Sequence, residues 1–108
     1  MLSFGGDKMF EKKYITRGVN TEIPLCLQLL MWDMISSMKV EKQDYLQVFE
    51  LKGISVDGTV FQRIIHSQEQ PEYKNTVFVP IGEGNAVDNK VFVIDDEIYC
   101  TMLLAEEY

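Results

Sequence analysis

Between residues 24 and 38 the apolar side chains recur at helical spacing. Leu27, Leu30, Met31, Met34, Ile35 and Met38 stand at i, i+3, i+4, i+7, i+8 and i+11. That is the stripe of an amphipathic helix facing a core. Pro24 suits the first helical position, where a missing N–H has no partner to lose. Ile23, ahead of a proline, is pushed toward extended geometry, and Asn20-Thr21 make the approach turn-like. The charged run Glu41-Lys42-Gln43-Asp44 follows, so the helix is expected to end between Met38 and Lys42. Leu25, Leu29 and Trp32 fall off the stripe, on an adjoining flank shared with Gln28 and Ser36. Clustered apolar groups on such a flank either widen the core face, with Trp32 as its lid, or form a contact patch for another protein or a second copy.

The remaining chain alternates with period two or carries β-branched and aromatic runs. Strands are expected over residues 13–19, 44–55, 59–70, 75–81, 90–95 and 99–105. Asp57-Gly58 is a hairpin signal between the second and third of them. Val48 lies where both faces of its strand are apolar, which predicts a central strand. Pro80 confines the end of the fourth strand to an edge or a bulge. The element order, one strand, one helix, then five strands, predicts an α+β domain: one main helix on an antiparallel sheet of about five to six strands. The last hairpin is free to pair at either edge. Residues 1–8 (MLSFGGDK) read as a leader with little to pack, and residues 9–108 as the domain.

The 108 residues suffice for one core. A formal net charge of −7 argues against binding nucleic acid through phosphate neutralisation. It leaves room for an acidic regulator or nucleic-acid mimic, although Asp95-Asp96-Glu97 and Glu106-Glu107 are sparse runs for that purpose. The basic group Lys8, Lys12, Lys13 and Arg17 is too thin to reverse this. No apolar run has the length of a membrane span, and the N-terminus lacks a signal-peptide pattern. A cytoplasmic protein with reduced thiols is expected.

Candidate chemistry is thin. His66 is the lone histidine. With Glu69 or Glu72 it offers an acid/base or small-ligand site, but strand alternation turns His66 and Glu69 to opposite faces. The polar loop His66, Gln68, Glu69, Gln70, Glu72 and Tyr73 leaves its strand at a proline and is a candidate recognition loop; the plainer expectation folds Tyr73 back onto the core. Cys100 sits near Asp95, Asp96 and Glu97, which disfavour a thiolate. Cys26, near a helix N-terminus, has the better electrostatics but no base in sequence. Two distant cysteines make no zinc site. Gly82-Glu83-Gly84 lacks the Lys-Ser/Thr of a phosphate loop, and three acids at 95–97 read as a solvated turn rather than a cation site. No cofactor is expected.

Six stretches carry a resemblance: YITRGV (14–19), IPLxLQL (23–29), DYLQVFEL (44–51), IIHSQEQPEY (64–73), FVIDD (92–96) and TMLLAEEY (101–108). Together they resemble a family of short, uncharacterised proteins of Gram-positive bacteria, a domain of unknown function. Members commonly open with Met-Phe, as at Met9-Phe10, so the leader departs from the pattern. Cys26 stands where relatives often carry Glu. The resemblance implies no activity, cofactor or catalytic residue. The Leu25, Leu29 and Trp32 flank, with a sheet that one helix cannot cover, makes a non-enzymatic protein-interaction or self-associating module the expectation.

Overall fold

The computed structural model describes residues 12–82 and 84–108. The expected leader, residues 1–8, and the expected domain start at Met9 lie outside them. A six-stranded sheet carries two helices on one face, in the order β1 (Lys13–Ile15), α1 (Arg17–Glu22), α2 (Leu25–Ser36), β2 (Leu46–Val56), β3 (Thr59–Gln68), β4 (Tyr73–Pro80), β5 (Asn89–Asp95) and β6 (Cys100–Leu104). A 3-10 turn, Ala105–Glu107, follows. The spatial order is β1-β6-β5-β2-β3-β4.

The β2–β3 hairpin forms as expected. Asp57 and Gly58 both take positive φ, 51° and 82°, the backbone a two-residue turn with the right twist requires. β2 lies at the centre, between β5 and β3. Pro80 ends β4, an edge strand, where its missing N–H breaks no ladder. The last hairpin docks on β2 through β5, with Leu46 opposite Ile94 and Leu51 opposite Asn89.

Five expectations need correction. The first strand stops at Ile15, because Thr16 caps a helix there: its hydroxyl accepts from the Val19 N–H at 3.2 Å. The turn expected at Asn20-Thr21 is therefore helix α1. The sheet is not wholly antiparallel either, since β1 pairs with β6 in parallel, Lys13 opposite Cys100 and Ile15 opposite Met102. A parallel pair needs a long connection, and here nearly the whole domain supplies it. Finally, α2 ends at Ser36 and not between Met38 and Lys42, and Pro24 is its N-cap residue and not its first helical one.

The core lies between the helices and the inner sheet face. Leu27, Met31, Met34 and Ile35 of α2 are buried against Phe49, Leu51, Ile64, Val91, Val93, Met102 and Leu104. Leu30 and Met38 pack at its border, so the helical stripe read from spacing is the face that is buried. Val19 and Ile23 extend that stripe through α1.

Glu107 ties the chain end to the start of α1. Its carboxylate accepts from the Thr16 hydroxyl at 2.6 Å, the Leu104 N–H at 2.8 Å and the Gly18 N–H at 3.2 Å. These bonds, the Thr16 hydroxyl foremost, hold its pKa below the usual carboxylate range. A Cβ at Gly18 would sit 2.5 Å from Glu107 Oε2. Gly18→Ala must push the carboxylate off its donors. We therefore expect Gly18→Ala and Glu107→Ala each to lower the melting temperature, and the double variant to lower it no further than the worse single variant. Additive losses would show that Gly18 serves some other purpose.

Candidate functional site

The candidate loop and the centre of the sheet are joined by a buried row of polar side chains. Gln47, Gln62, His66 and Gln68 all face the core side and are all buried. β2 and β3 set this row, because residues of one parity along each strand share a face. The Gln47 amide donates to Gln68 Oε1 at 2.7 Å and to the Asp44 carbonyl at 2.9 Å. Its own oxygen is thereby turned to His66 Nε2, 2.7 Å away. Gln47 Oε1 can only accept, so Nε2 carries the imidazole proton.

His66 stacks on Phe49, ring centroids 4.3 Å apart, and meets Tyr73 edge-on at 5.4 Å. Tyr73 is thus folded back onto the core side. Nδ1 is buried with no hydrogen-bond partner. A second proton there would find no acceptor, and burial pushes the pKa down to about 4. The ring is neutral at pH 7.

Gln68 anchors the loop. Its oxygen accepts from the Asp44 N–H at 2.8 Å, and its amide donates to the carbonyls of Pro71 at 2.8 Å and Lys42 at 3.1 Å. Asp44 completes the lock by accepting from the Gln70 N–H at 3.2 Å. The Gln70-Pro71 peptide is cis. The polar composition of QEQPEY therefore has a packing explanation at Gln68, Pro71 and Tyr73. Glu69, Gln70 and Glu72 point to solvent.

Acid/base chemistry at His66 requires an accessible ring and a carboxylate in reach. Neither is present among the described residues. The imidazole is fully buried, its hydrogen bond goes to Gln47, and it lines none of the surface clefts described. No cluster of three or more His, Cys, Asp and Glu is placed to hold a metal ion among the described residues. Cys100 is buried, its Sγ donating to the Lys12 carbonyl, and burial raises its pKa to about 11. Cys26 is exposed. A cleft of about 650 Å³ at one end of the sheet gathers Asp44, Asp95, Asp96 and Glu97. Asp57 lies at the hairpin tip, at the far end of β2, so the described carboxylates do not all share that end. No described helix is long and apolar enough to cross a membrane.

The flank of α2 is divided. Leu25 and Leu29 are 66% and 59% exposed, and Ser36 is exposed with its hydroxyl donating to the Trp32 carbonyl. Trp32 is half-buried against the core, with the Lys13 ammonium 5.7 Å from its ring centre. Gln28 does not belong with them: it is buried, and its amide donates to the Ile23 carbonyl at 2.8 Å. The reason is local. Ile23 precedes Pro24 and has left α1, so its carbonyl needs a donor that the helix backbone cannot supply.

Sequence reasoning missed what lies beside this flank. Tyr14 and Ile15 on edge strand β1 are 55% and 38% exposed, and Tyr99, packed edge-on against Tyr14 at 5.0 Å, adjoins exposed Ile98. Ile15 and Leu25 line one groove. The parallel β1–β6 pairing brings these residues together, and no spacing in the sequence announces it.

No curated protein matches this chain. A crystal structure described as a protein of unknown function from Enterococcus faecalis is similar at 24% identity and a TM-score of 0.73, over 100% of this chain and 98% of that one. At that identity the likeness speaks for the fold. The family model described as a Staphylococcal protein of unknown function matches residues 12–107. Its span includes all six strands, both helices and the Glu107 anchor, and the chain belongs to this family, DUF960.

Proposed function

We propose that the protein is a non-enzymatic protein-binding module whose contact surface is the β1 edge together with the exposed flank of α2. One observation supports this reading. Among the described residues, Tyr14, Ile15, Leu25, Leu29, Ile98 and Tyr99 are six of the ten large hydrophobic side chains left exposed. Ile15 and Leu25 line one groove on the helix side of the β1 edge, and Tyr14 and Tyr99 pack together on its other side. Scattered exposed apolar residues need no explanation, whereas a gathered set marks an interaction site. Half-buried Trp32 gives the patch the aromatic anchor that contact surfaces favour. The outer edge of β1 adds backbone groups with no strand beyond them in the sheet.

The test is affinity capture from the native cell with tagged protein, comparing the unmodified chain with Leu25→Glu and Leu29→Glu. Both side chains are mostly solvent-exposed, so the substitutions leave the core intact. A species retained by the unmodified chain and lost from both variants is the expected result. Equal retention by all three would remove the patch as the contact surface.

A further inference from the structure

We propose that the sheet face opposite the helices packs against the same face of a second copy of this chain. Tyr14 and Tyr99 of the β1 edge border this face, but the inference does not depend on that reading, because α2 lies on the opposite side.

The register places the residues. Leu103, Phe92, Val48, Ser67 and Lys74 form one row across five strands. Lys90, Glu50, Ile65 and Thr76 form the next, then Lys52, Arg63 and Phe78. These side chains alternate with Phe49, Ile64, Val91 and Met102, which meet the helices. Tyr108 meets Phe92 edge-on at 5.6 Å; otherwise both helices lie on the opposite side, against the core. Phe78 is 56% exposed, and Val48, Ile65, Phe92 and Leu103 are each only half-buried. A solvated sheet face alternates toward polar residues; this one keeps an apolar centre.

Size and charge select the occupant. Five strands about 4.8 Å apart and roughly seven residues long present a projected area on the order of 600 Å². That approaches the roughly 800 Å² per partner of a stable interface. The face also differs in charge from end to end. Arg63 and Lys52 adjoin at one end. Arg63 has no carboxylate partner among the described residues, and Lys52 has only a 3.9 Å contact to Asp88 in which both side chains are largely exposed. At the other end Asp44, Glu50 and Glu69 line a groove with Leu46 and Val48, three carboxylates against the single cation Lys90. A two-fold axis lying across the strands near the Val48–Phe92 row sets each copy's Arg63 end over the other's Asp44–Glu69 end. The apolar centres then meet each other, an isologous sheet-on-sheet contact.

Light scattering coupled to size exclusion tests this on the intact chain. The unmodified protein is expected at twice its 12.5 kDa chain mass. Ser67→Arg adds bulk and charge at the centre of the face without removing an apolar group, and Arg63→Glu reverses one end. Each is expected to weaken the dimer at least about tenfold, with an unchanged circular dichroism spectrum. Leu29→Glu, on the helix side, is expected to stay dimeric. A single-chain mass for the unmodified protein at its highest soluble concentration would overturn the proposal. So would a dimer that survives both sheet-face variants or dissociates in Leu29→Glu.

Discussion

Lowering the pH from 6.5 toward 4 is expected to remove roughly 3 kcal/mol of folding stability through His66 alone. Above pH 6.5 the ring is neutral whether the chain is folded or not, and its contribution is fully present. Below that value the unfolded chain binds a proton that the folded chain refuses until about pH 4, because the buried Nδ1 has no acceptor. Each unit of pH in that window therefore lowers stability by about 1.4 kcal/mol at most. This is the lone histidine in the sequence, so no other side chain with an ordinary pKa competes between pH 5 and 6.5. Denaturant unfolding followed across this range should show the slope, and His66→Gln should flatten it while lowering stability at pH 7. An unmodified protein equally stable at pH 6.5 and 5 would mean that the ring accepts its second proton in the folded state. Below pH 4.5 Glu107 should add to the loss, since the unfolded chain then takes up a proton that the folded carboxylate, held charged by its three donors, still refuses.

Gln68→Leu should be the most damaging single change in the candidate loop, at about 3 kcal/mol. Most of its volume is kept and its hydrogen bonding is lost. The substitution leaves the Gln47 amide, the Asp44 N–H and the Lys42 and Pro71 carbonyls short of a partner. The Gln47 amide lies deepest and has least access to water. Freed from Gln68, it also loses the orientation that aims its oxygen at His66. Denaturant midpoints for Gln68→Leu beside Glu69→Gln and Glu72→Gln make the comparison, because the last two alter exposed carboxylates that accept no hydrogen bond from the described residues. A drop confined to Gln68→Leu identifies the loop as a structural lock. Comparable drops in all three would mean that the exposed carboxylates also carry structure.

Much of the fold was legible in the chain itself. The stripe Leu27, Met31, Met34 and Ile35 names the buried face of α2, because a helix on a core has a single period. Asp57-Gly58 fixes the central hairpin, because few dipeptides tolerate two positive φ values in succession. What escaped was one short local helix and one non-local pairing. Thr16 is a capping residue, and Val19, Ile23 and Leu27 repeat at a spacing of four; together they signal α1, but β-branched Ile15 and Thr16 read first as strand. The parallel pairing of β1 with β6 joins residues some ninety positions apart, and local pattern carries no trace of it. The exposed set around Tyr14 and Tyr99 was hidden for the same reason.

The loop shows the opposite failure. His66, Gln68 and Tyr73 look like recognition chemistry in a sequence, since polar residues on a loop usually face water. Here they face inward. Gln47, one strand away, turns them into a satisfied buried row. Gln28 was misplaced by the same kind of error: its angle on the helix suits the flank, but the unpaired Ile23 carbonyl draws its amide inward.

The most direct test of the central claim, that the molecule acts through an apolar edge and not through its histidine loop, is one capture experiment with three tagged forms. These are the unmodified chain, Leu29→Glu, and the Glu69→Gln/Glu72→Gln double variant, each checked for an unchanged melting temperature. The expected result is a partner retained by the unmodified chain and by the double carboxylate variant, and lost from Leu29→Glu. A partner that stays with Leu29→Glu and leaves the carboxylate variant would contradict the claim and move the contact surface to the loop.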